Sequence, residues 1–217
     1  MSTLRLAAPA DRGDLASFLG RAVALDPAAV TRLRTSGQRV AAYVRLPFGV
    51  LVSRTLAGAA EPADVTVGAA DLLAALEAAG TYLDRGLNWL RPRDAEWRAA
   101  LPPPGGWQLL DSVPGEVVRA LVRSGRDALQ AVPAGAAATA GESLLDHEAL
   151  TVAGAGRTAT LPLRVLTALT RMGFLAQQAG GQADLVAVSA AGGWVRLAAA
   201  YGSAYQHAVP AFGLSKR

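Results

Sequence analysis

The feature that most constrains the fold is a run of apolar residues at helical spacing near position 165. Placed on a helix at about 100° per residue, one broad face carries Leu161, Val165, Leu166, Leu169 and Met172. The opposite face carries Arg164, Thr167 and Arg171. Pro162 is tolerated in a first helical turn, and Gly173 can supply the left-handed residue that ends a helix. The sequence therefore predicts an amphipathic helix over residues 161–174.

Short β-prone runs flank this helix. Residues 185–189 and 194–197 are separated by Ala190-Ala191-Gly192-Gly193, whose glycines can adopt the positive φ of a tight connection. Before the helix, the run ALTVAGAGRTAT indicates two more strands about a Gly154-Ala155-Gly156 turn. The C-terminal part of the chain is therefore predicted to combine a helix with a hairpin.

A helix with an exposed Arg/Thr stripe, followed by a hairpin, resembles the end of a winged-helix domain. The resemblance implies that the helix enters the major groove of DNA and that the hairpin lies along the backbone. The residues it implicates in nucleic-acid binding are Arg164, Thr167, Arg171 and Arg196. The hairpin tip carries no Arg or Lys, and a helix packed on a small sheet explains the same residues without a ligand. Both interpretations stay open.

The N-terminal half alternates helical and β-prone segments. A strand at 3–7 precedes a helix from Pro9 to Leu25, and Asp26-Pro27 has the pattern of a second helix start. Runs at 39–46 and 49–56 predict an antiparallel pair of strands, and 65–67 predicts a strand before a helix over 72–80. A helix after Val113 is expected to break at Ser124-Gly125.

The opening, LRLA followed by PADRGDLASFL and later by a hairpin, is similar to the start of acetyltransferases of the GNAT type. That resemblance implies a glycine-rich loop whose amides would hold the pyrophosphate of acetyl-CoA, with an Arg or Gln ahead of it. The sequence lacks this loop. The similarity therefore assigns no site, cofactor or activity.

Residues 132–141 form a low-complexity stretch without charges or large side chains. Because such a stretch buries little surface, we predict a linker or a long loop there. This predicts an N-terminal α+β module over 1–131 and a C-terminal helix-plus-hairpin module over 142–217. The predicted fold class is α+β, with helices packed on short antiparallel sheets.

Residues 88–107 interleave tryptophans with arginines and prolines. Aromatic and basic side chains together could stack bases and pair phosphates, as in proteins that bind single strands. Tryptophans more often bury large areas in cores or interfaces, and the extended proline run can dock a partner. The predicted partner-binding residues are Trp89, Trp97, Pro103 and Trp107.

The reactive side chains exclude several chemistries. The chain has 0 cysteines, which excludes disulfides, thiolate catalysis and cysteine-ligated zinc. The three side chains of Asp146-His147-Glu148 diverge on a helix or a strand, so they cannot all ligate one ion. No nucleophile elbow, phosphate loop or dinucleotide motif occurs. We expect no metal and no cofactor. The remaining enzymatic hypothesis is a carboxylate-based enzyme that uses acids such as Asp111 or Glu116.

Charge falls in three blocks along the chain. Residues 1–60 hold 8 Arg and 3 acids, residues 61–150 hold 7 and 13, and residues 151–217 hold 6 Lys/Arg and 1 acid. These blocks favour attraction between segments, or a basic surface that faces an acidic partner. No secretory signal or membrane-spanning run is visible, so we expect a cytoplasmic protein. The sequence predicts a non-enzymatic protein that binds protein partners or itself, with nucleic-acid binding as the alternative.

Overall fold

The computed structural model of the chain describes residues 2–79, 87–176 and 184–207, with side chains except at 87–90, 134 and 137. It forms two compact units. Unit 1 comprises Met1–Ala100, Ala168–Phe174 and Tyr201–Ala204, and unit 2 comprises Leu101–Thr167, Leu175–Ala200 and Tyr205–Arg217. This division differs from the boundary that we predicted at 132–141. The chain is mixed α+β with antiparallel sheets, as the sequence predicted.

Unit 1 packs two helices on one face of an antiparallel sheet. Its strands are β1 (Ser2–Leu6), β2 (Val30–Ser36), β3 (Arg39–Arg45), β4 (Leu51–Glu61), β5 (Asp64–Gly68) and β6 (Leu87–Leu90). Its helices are α1 (Pro9–Leu25) and α2 (Ala69–Ala78), which pack against each other. The strand order is β5-β2-β3-β4, while β1 pairs with the end of β4 and β6 pairs with β1.

The alternation of the strands of unit 1 explains its core. Val40, Ala42 and Val44 of β3 are buried, while the residues between them face the other side of the sheet. The buried face meets Leu15 and Leu19 of α1, which are completely buried. The predicted strand at 3–7, the helix from Pro9 to Leu25, the antiparallel pair and the strand at 65–67 are confirmed.

The second helix predicted at Asp26-Pro27 is wrong, because β2 follows there. The Asp26 carboxylate accepts a hydrogen bond from Ala28 N at 2.9 Å, which closes a turn instead of capping a helix. Thr31 and Leu33 are buried while Arg34 is exposed, a period of two that suits a strand. The Asp-Pro signal therefore marks a turn into the sheet.

Unit 2 holds two helices and two sets of strands, and helix α5 begins there. The elements, in chain order, are β7 (Gln108–Pro114), α3 (Gly115–Gln130), α4 (Ala137–Asp146), β8 (Glu148–Gly154), β9 (Arg157–Pro162), α5 (Leu163–Arg171), β10 (Leu185–Ala191), β11 (Trp194–Ala199) and β12 (Gly202–His207). Strand β10 pairs with β7 and with β11, and β8 pairs with β9 in a separate hairpin. From Ala168 onward α5 belongs to unit 1, as do the first residues of β12.

The two predicted hairpins are confirmed. Ala191 pairs with Trp194, so a two-residue Gly192-Gly193 turn joins β10 to β11. The other turn lies at Ala155-Gly156, whose φ angles are 51° and 71°. Positive φ at both central residues matches the right-handed twist of the paired strands. In unit 2 this hairpin, β8–β9, comes directly before α5.

Helix α5, Leu163–Arg171, is shorter than the predicted 161–174, because Pro162 is the last residue of β9. Gly173 ends the helix, as the sequence indicated. Gly173 has a φ of 64°, Gly173 N donates to Thr170 O at 3.1 Å, and Phe174 N donates to Leu169 O at 2.9 Å. This pair of bonds is a Schellman motif, which satisfies the last carbonyl groups of the helix.

Two local expectations in unit 2 are wrong. Helix α3 runs unbroken through Ser124-Gly125, since a side chain at Gly125 would overlap Leu163 and glycine permits the close approach. The stretch 132–141, expected to be a linker or loop, instead holds a short 3₁₀ turn (Ala134–Ala136) and half of α4. Within the described ranges, no helix has the length and apolar character needed to cross a bilayer.

Candidate partner-binding pocket beside Trp97

A concave pocket of about 270 Å³ opens on unit 1, where the chain enters β2 and leaves β3. Three stretches distant in sequence form it. Its lining residues are Asp26, Ala28, Ala29, Val30, Arg45, Leu46, Pro47, Glu96, Trp97, Arg98 and Ala99. We call this site the Trp97 pocket.

The floor of the Trp97 pocket is apolar and fixed by the sheet. Ala29 is 6% exposed and Leu46 is 2% exposed. Leu46 N donates to Val50 O at 2.8 Å and Gly49 N donates to Leu46 O at 2.9 Å, so the β3–β4 turn is closed by backbone bonds. Gly49 has a φ of 83°, which glycine adopts without strain. The floor is therefore preformed.

The Trp97 ring is held from two sides. The Arg32 guanidinium lies 5.8 Å from the ring centroid, and the indole N–H donates to Ala99 O at 2.5 Å. Arg32 is itself held by Asp64 through two hydrogen bonds of 2.6 and 2.9 Å. The bond to Asp64 raises the pKa of Arg32, so this cation stays charged over the ring. Trp97 is half-buried and presents a fixed aromatic wall.

The segment before Trp97 is tied to the outer edge of β5. Arg93 N donates to Thr66 O at 2.7 Å, and the Asp94 carboxylate accepts from Thr66 N at 2.7 Å. These bonds satisfy backbone groups that an edge strand would leave open. Arg93 also donates to Glu96 at 2.7 Å, which lowers the pKa of Glu96. The wall that carries Trp97 is thus anchored to the sheet.

At the rim of the Trp97 pocket the acidic side chains are already bonded, whereas two arginines are available to a ligand. Glu96 is paired with Arg93, and the Asp26 carboxylate is used by its own turn. Arg45 and Arg98 are exposed, and no acid within the described residues lies at ion-pair distance from either. The pocket therefore offers an apolar cavity flanked by two available arginines, which suits an apolar group next to a carboxylate.

The predicted partner-binding residues do not form one cluster. Trp97 lines the pocket in unit 1, and Trp89 lies in β6, where its side chain is outside the described residues. Trp107 belongs to unit 2, with its ring 6.1 Å from that of Tyr205. Pro103, also in unit 2, is half-buried.

The predicted nucleic-acid residues lie on two elements. Arg164, Thr167 and Arg171 follow one face of α5, as their spacing indicated. Arg164 forms ion pairs with Asp146 and Glu142, whereas Arg171 is exposed. Arg196 lies on β11 with its guanidinium 4.6 Å from the ring centroid of Trp107. Two of the four arginine and threonine positions thus have a structural role within unit 2.

The titratable residues that the sequence offered for an enzyme do not converge on one cavity. No group of three His, Cys, Asp or Glu side chains that could hold a metal occurs within 2–79, 87–176 and 184–207. His147 lines a cavity of about 340 Å³ whose other walls are alanines, leucines, Val132 and Ser143, with no carboxylate. Asp146 is paired with Arg164, and neither Asp111 nor Glu116 lines that cavity.

Sequence reasoning singled out Trp97 but missed the rest of its pocket. Arg45 and Asp26 are separated from Trp97 by fifty residues or more, and only the sheet register brings them together. The Pro47 turn was recognised as the joint between two strands, yet nothing in the sequence shows that its inner side faces an indole ring. Only the pairing of strands that are distant in sequence brings this turn and the Trp97 ring together.

Comparison with family models covers both parts of the chain. Residues 102–210, just over half of the chain, match the model described as "Domain of unknown function (DUF8185)". The chain belongs to this family. Residues 1–99 match a second model, "Domain of unknown function (DUF8010)", and this region carries the Trp97 pocket. The two matched regions meet where the compact units divide at Ala100. A search of curated protein sequences found no match to the DUF8185 chain.

Solved structures similar to this DUF8185 family member are bacterial sliding clamps. The DNA polymerase sliding clamp of Bacillus subtilis is 10% identical with a TM-score of 0.54, over 95% of this chain and 63% of that one. The Caulobacter crescentus beta sliding clamp is 12% identical with a TM-score of 0.54, over 95% and 64%. The Pseudomonas aeruginosa DnaN clamp is 12% identical with a TM-score of 0.53, again over 95% and 64%. The chain thus shares the clamp fold and spans less than two thirds of the length of these clamps.

Proposed function

We propose that this protein is a non-enzymatic cytoplasmic scaffold, which binds a protein partner by taking one apolar side chain of that partner into the Trp97 pocket. The observation that carries the proposal is the preformed pocket itself: an indole wall, a buried apolar floor and two arginines without acidic partners among the described residues. The clamp fold supports a scaffold role, since the similar structures are named as sliding clamps of DNA polymerase.

The chemistry of the pocket specifies the ligand. A cavity of about 270 Å³ has room for one large apolar side chain, and Arg45 and Arg98 can each donate to a neighbouring carboxylate. Burying such a side chain contributes about 1.5–3 kcal/mol, and each charged hydrogen bond about 1.5–3 kcal/mol. The sum corresponds to a Kd in roughly the micromolar to millimolar range. We expect a short segment with an apolar residue beside Asp or Glu, bound transiently.

A displayed library of random peptides selected against the purified protein tests the proposal. Selected peptides should pair an apolar residue with an acid, and the double variant Arg45→Gln/Arg98→Gln should weaken their binding about tenfold or more. The matched control is Arg123→Gln/Arg126→Gln, which removes two exposed arginines of α3. Peptides that bind the two variants equally well, or a library that yields no saturable binder, would refute the pocket as a docking site.

Nucleic-acid binding through α5 is the second candidate function. The favouring observation is that Arg171 is exposed and lies on the same helix face as Arg164 and Thr167. In this proposal Arg196 would add a further contact from β11. If Arg164→Ala/Arg171→Ala leaves salt-dependent retention of duplex DNA unchanged, the α5 surface is not the binding surface.

Self-association is the remaining proposal for a partner. Leu109 and Leu185 of unit 2 are 57% and 50% exposed, on strands β7 and β10. Exposed apolar side chains on a sheet favour contact with another chain. Sedimentation at rising concentration should show a dimer or larger species that Leu185→Glu shifts to the monomer. A wild-type protein that stays monomeric at high concentration would end this proposal.

A further inference from the structure

A second cavity of unit 1, of about 450 Å³, opens where strand β1 pairs with the end of β4. Its volume lies in the range of about 300–1,000 Å³ that small-molecule sites occupy. Among the described residues that line it, Thr3, Pro62 and three alanines are uncharged, whereas Arg5 and Glu61 are charged. We call it the Arg5 cavity. It combines a small, mostly apolar wall with one cation and one anion.

The register of β1 and β4 sets the separation of the two charged side chains. Arg5 is directly opposite Ala59, and Thr3 is directly opposite Glu61. Residues opposite each other share a face of the sheet, and so do residues two apart on one strand. Arg5 and Glu61 are therefore diagonal neighbours on one face, and the Cα atoms of such neighbours lie about 7–8 Å apart. One small molecule can reach both charges.

Arg5 and Glu61 do not neutralise each other. Both residues are exposed, and neither forms an ion pair with any of the described residues. A ligand with a single charge would bond to one of the two groups and face a like charge at the other. The cavity therefore favours a ligand that carries a negative and a positive group close together.

The β4 wall of the Arg5 cavity is fixed by its neighbours. Thr35 of β2 accepts a hydrogen bond from Ala60 N at its Oγ1 atom, at 2.8 Å, and Thr35 N donates to Ala63 O at 2.7 Å. These bonds hold the backbone on both sides of the acidic residue. Gly58 has a φ of 146°, and a Cβ there would overlap the Arg5 carbonyl group, so glycine permits the close approach of β1. The backbone that carries both charges is preformed.

We propose that the Arg5 cavity binds a free α-amino acid with an apolar side chain. Arg5 donates to the carboxylate, Glu61 accepts from the ammonium group, and the alanines and Pro62 contact the side chain. Two charge-assisted hydrogen bonds of about 2.8 Å, with the two groups of one amino acid between them, fit between diagonal neighbours.

The alternatives leave one of the two charges without a partner. Within a peptide chain the amino acid has amide groups in place of its charges, and a nucleotide would place phosphate against Glu61. The proposal does not rest on the scaffold role, because the Arg5 cavity and the Trp97 pocket share no described lining residue.

Isothermal titration calorimetry with L-leucine, L-valine, L-methionine and L-phenylalanine tests the proposal. At least one of them should bind saturably to the wild-type protein. Arg5→Gln and Glu61→Gln should each weaken that binding about tenfold or more, as expected for loss of a hydrogen bond to a charged group. The matched controls are Arg123→Gln on α3 and Glu77→Gln on α2, which remove exposed charges elsewhere and should change binding less than about twofold.

Derivatives of the bound amino acid assign each contact. The N-acetyl derivative keeps the carboxylate without the ammonium charge, and the amide derivative keeps the ammonium without the carboxylate. Each should bind about tenfold or more weakly than the free amino acid. Glu61→Gln should leave the affinity for the N-acetyl derivative unchanged, and Arg5→Gln should leave the affinity for the amide derivative unchanged.

Three results would overturn the proposal. One is a wild-type protein that gives no saturable binding with any of the four amino acids at high millimolar concentration. Another is an N-acetyl or amide derivative that binds as tightly as the free amino acid. The third is a loss of affinity in Arg5→Gln or Glu61→Gln that is no larger than in the controls. Thermal melting of each variant separates loss of binding from loss of fold, and the peptide test of the Trp97 pocket succeeds or fails separately.

Discussion

The ion pair between Arg119 and Asp184 gives an asymmetric stability prediction for unit 2. The Asp184 side chain is 3% exposed and accepts from Arg119 at 2.5 Å and from Ala176 N at 3.1 Å, while the Arg119 side chain is 30% exposed. Arg119→Gln leaves a buried carboxylate without its cation, which should cost about 3–5 kcal/mol. Asp184→Asn leaves a cation that water can reach, and should cost only about 1–2 kcal/mol.

Urea denaturation and thermal melting of both variants measure this difference. For a chain of this size, the Arg119→Gln loss corresponds to a fall in Tm of roughly 10 °C. The double variant should resemble Asp184→Asn, because the buried charge is then gone. Arg123→Gln, on an exposed position of the same helix, is the control and should change stability by less than about 0.5 kcal/mol. The reasoning fails if Arg119→Gln is no worse than that control, or if Asp184→Asn is the more damaging change.

Two further predictions concern backbone packing and the turn before Trp97. Gly154→Ala should destabilise unit 2 by about 1–3 kcal/mol, because the new Cβ would overlap the Leu110 carbonyl group. The control is Gly105→Ala, whose new Cβ would have no atom within 4 Å and should not destabilise the unit. Equal urea midpoints for the two variants would contradict this prediction. The pKa of Glu96 is lowered by Arg93, so the stability that this bond contributes is present above the unfolded-state pKa and is lost as pH falls through the folded-state pKa. Carboxyl NMR titration should show the pKa of Glu96 rising in Arg93→Gln; an unchanged pKa would disprove the link.

Elements whose signals are local could be predicted from the sequence. Helix α5 has an apolar stripe and a glycine at its end, and Gly173 does adopt the left-handed conformation there. Gly192 and Gly156 likewise supply positive φ in the two hairpin turns, whereas Ala155, with a φ of 51°, adopts it without being a glycine. In each case the residues that decide the structure lie within a few positions of one another.

Elements decided by distant contacts could not be predicted. In the sequence Gly125 indicates a helix break, but in the structure its missing side chain lets Leu163 approach helix α3 closely. In the sequence Asp26-Pro27 indicates a helix start, but strand β2 follows there because it pairs with β3 and β5. The Trp97 pocket joins three such segments.

The central claim is that the Trp97 pocket takes up an anchor residue of a protein partner. The most direct test follows the indole N–H signal of Trp97 in a ¹H–¹⁵N spectrum while a library-selected peptide is added. The account predicts that this signal shifts saturably in the wild type, shifts far less in Arg45→Gln/Arg98→Gln, and that the Trp194 signal of unit 2 stays in place. A Trp97 signal that does not move at saturating peptide, or a shift at Trp194 instead, would contradict it.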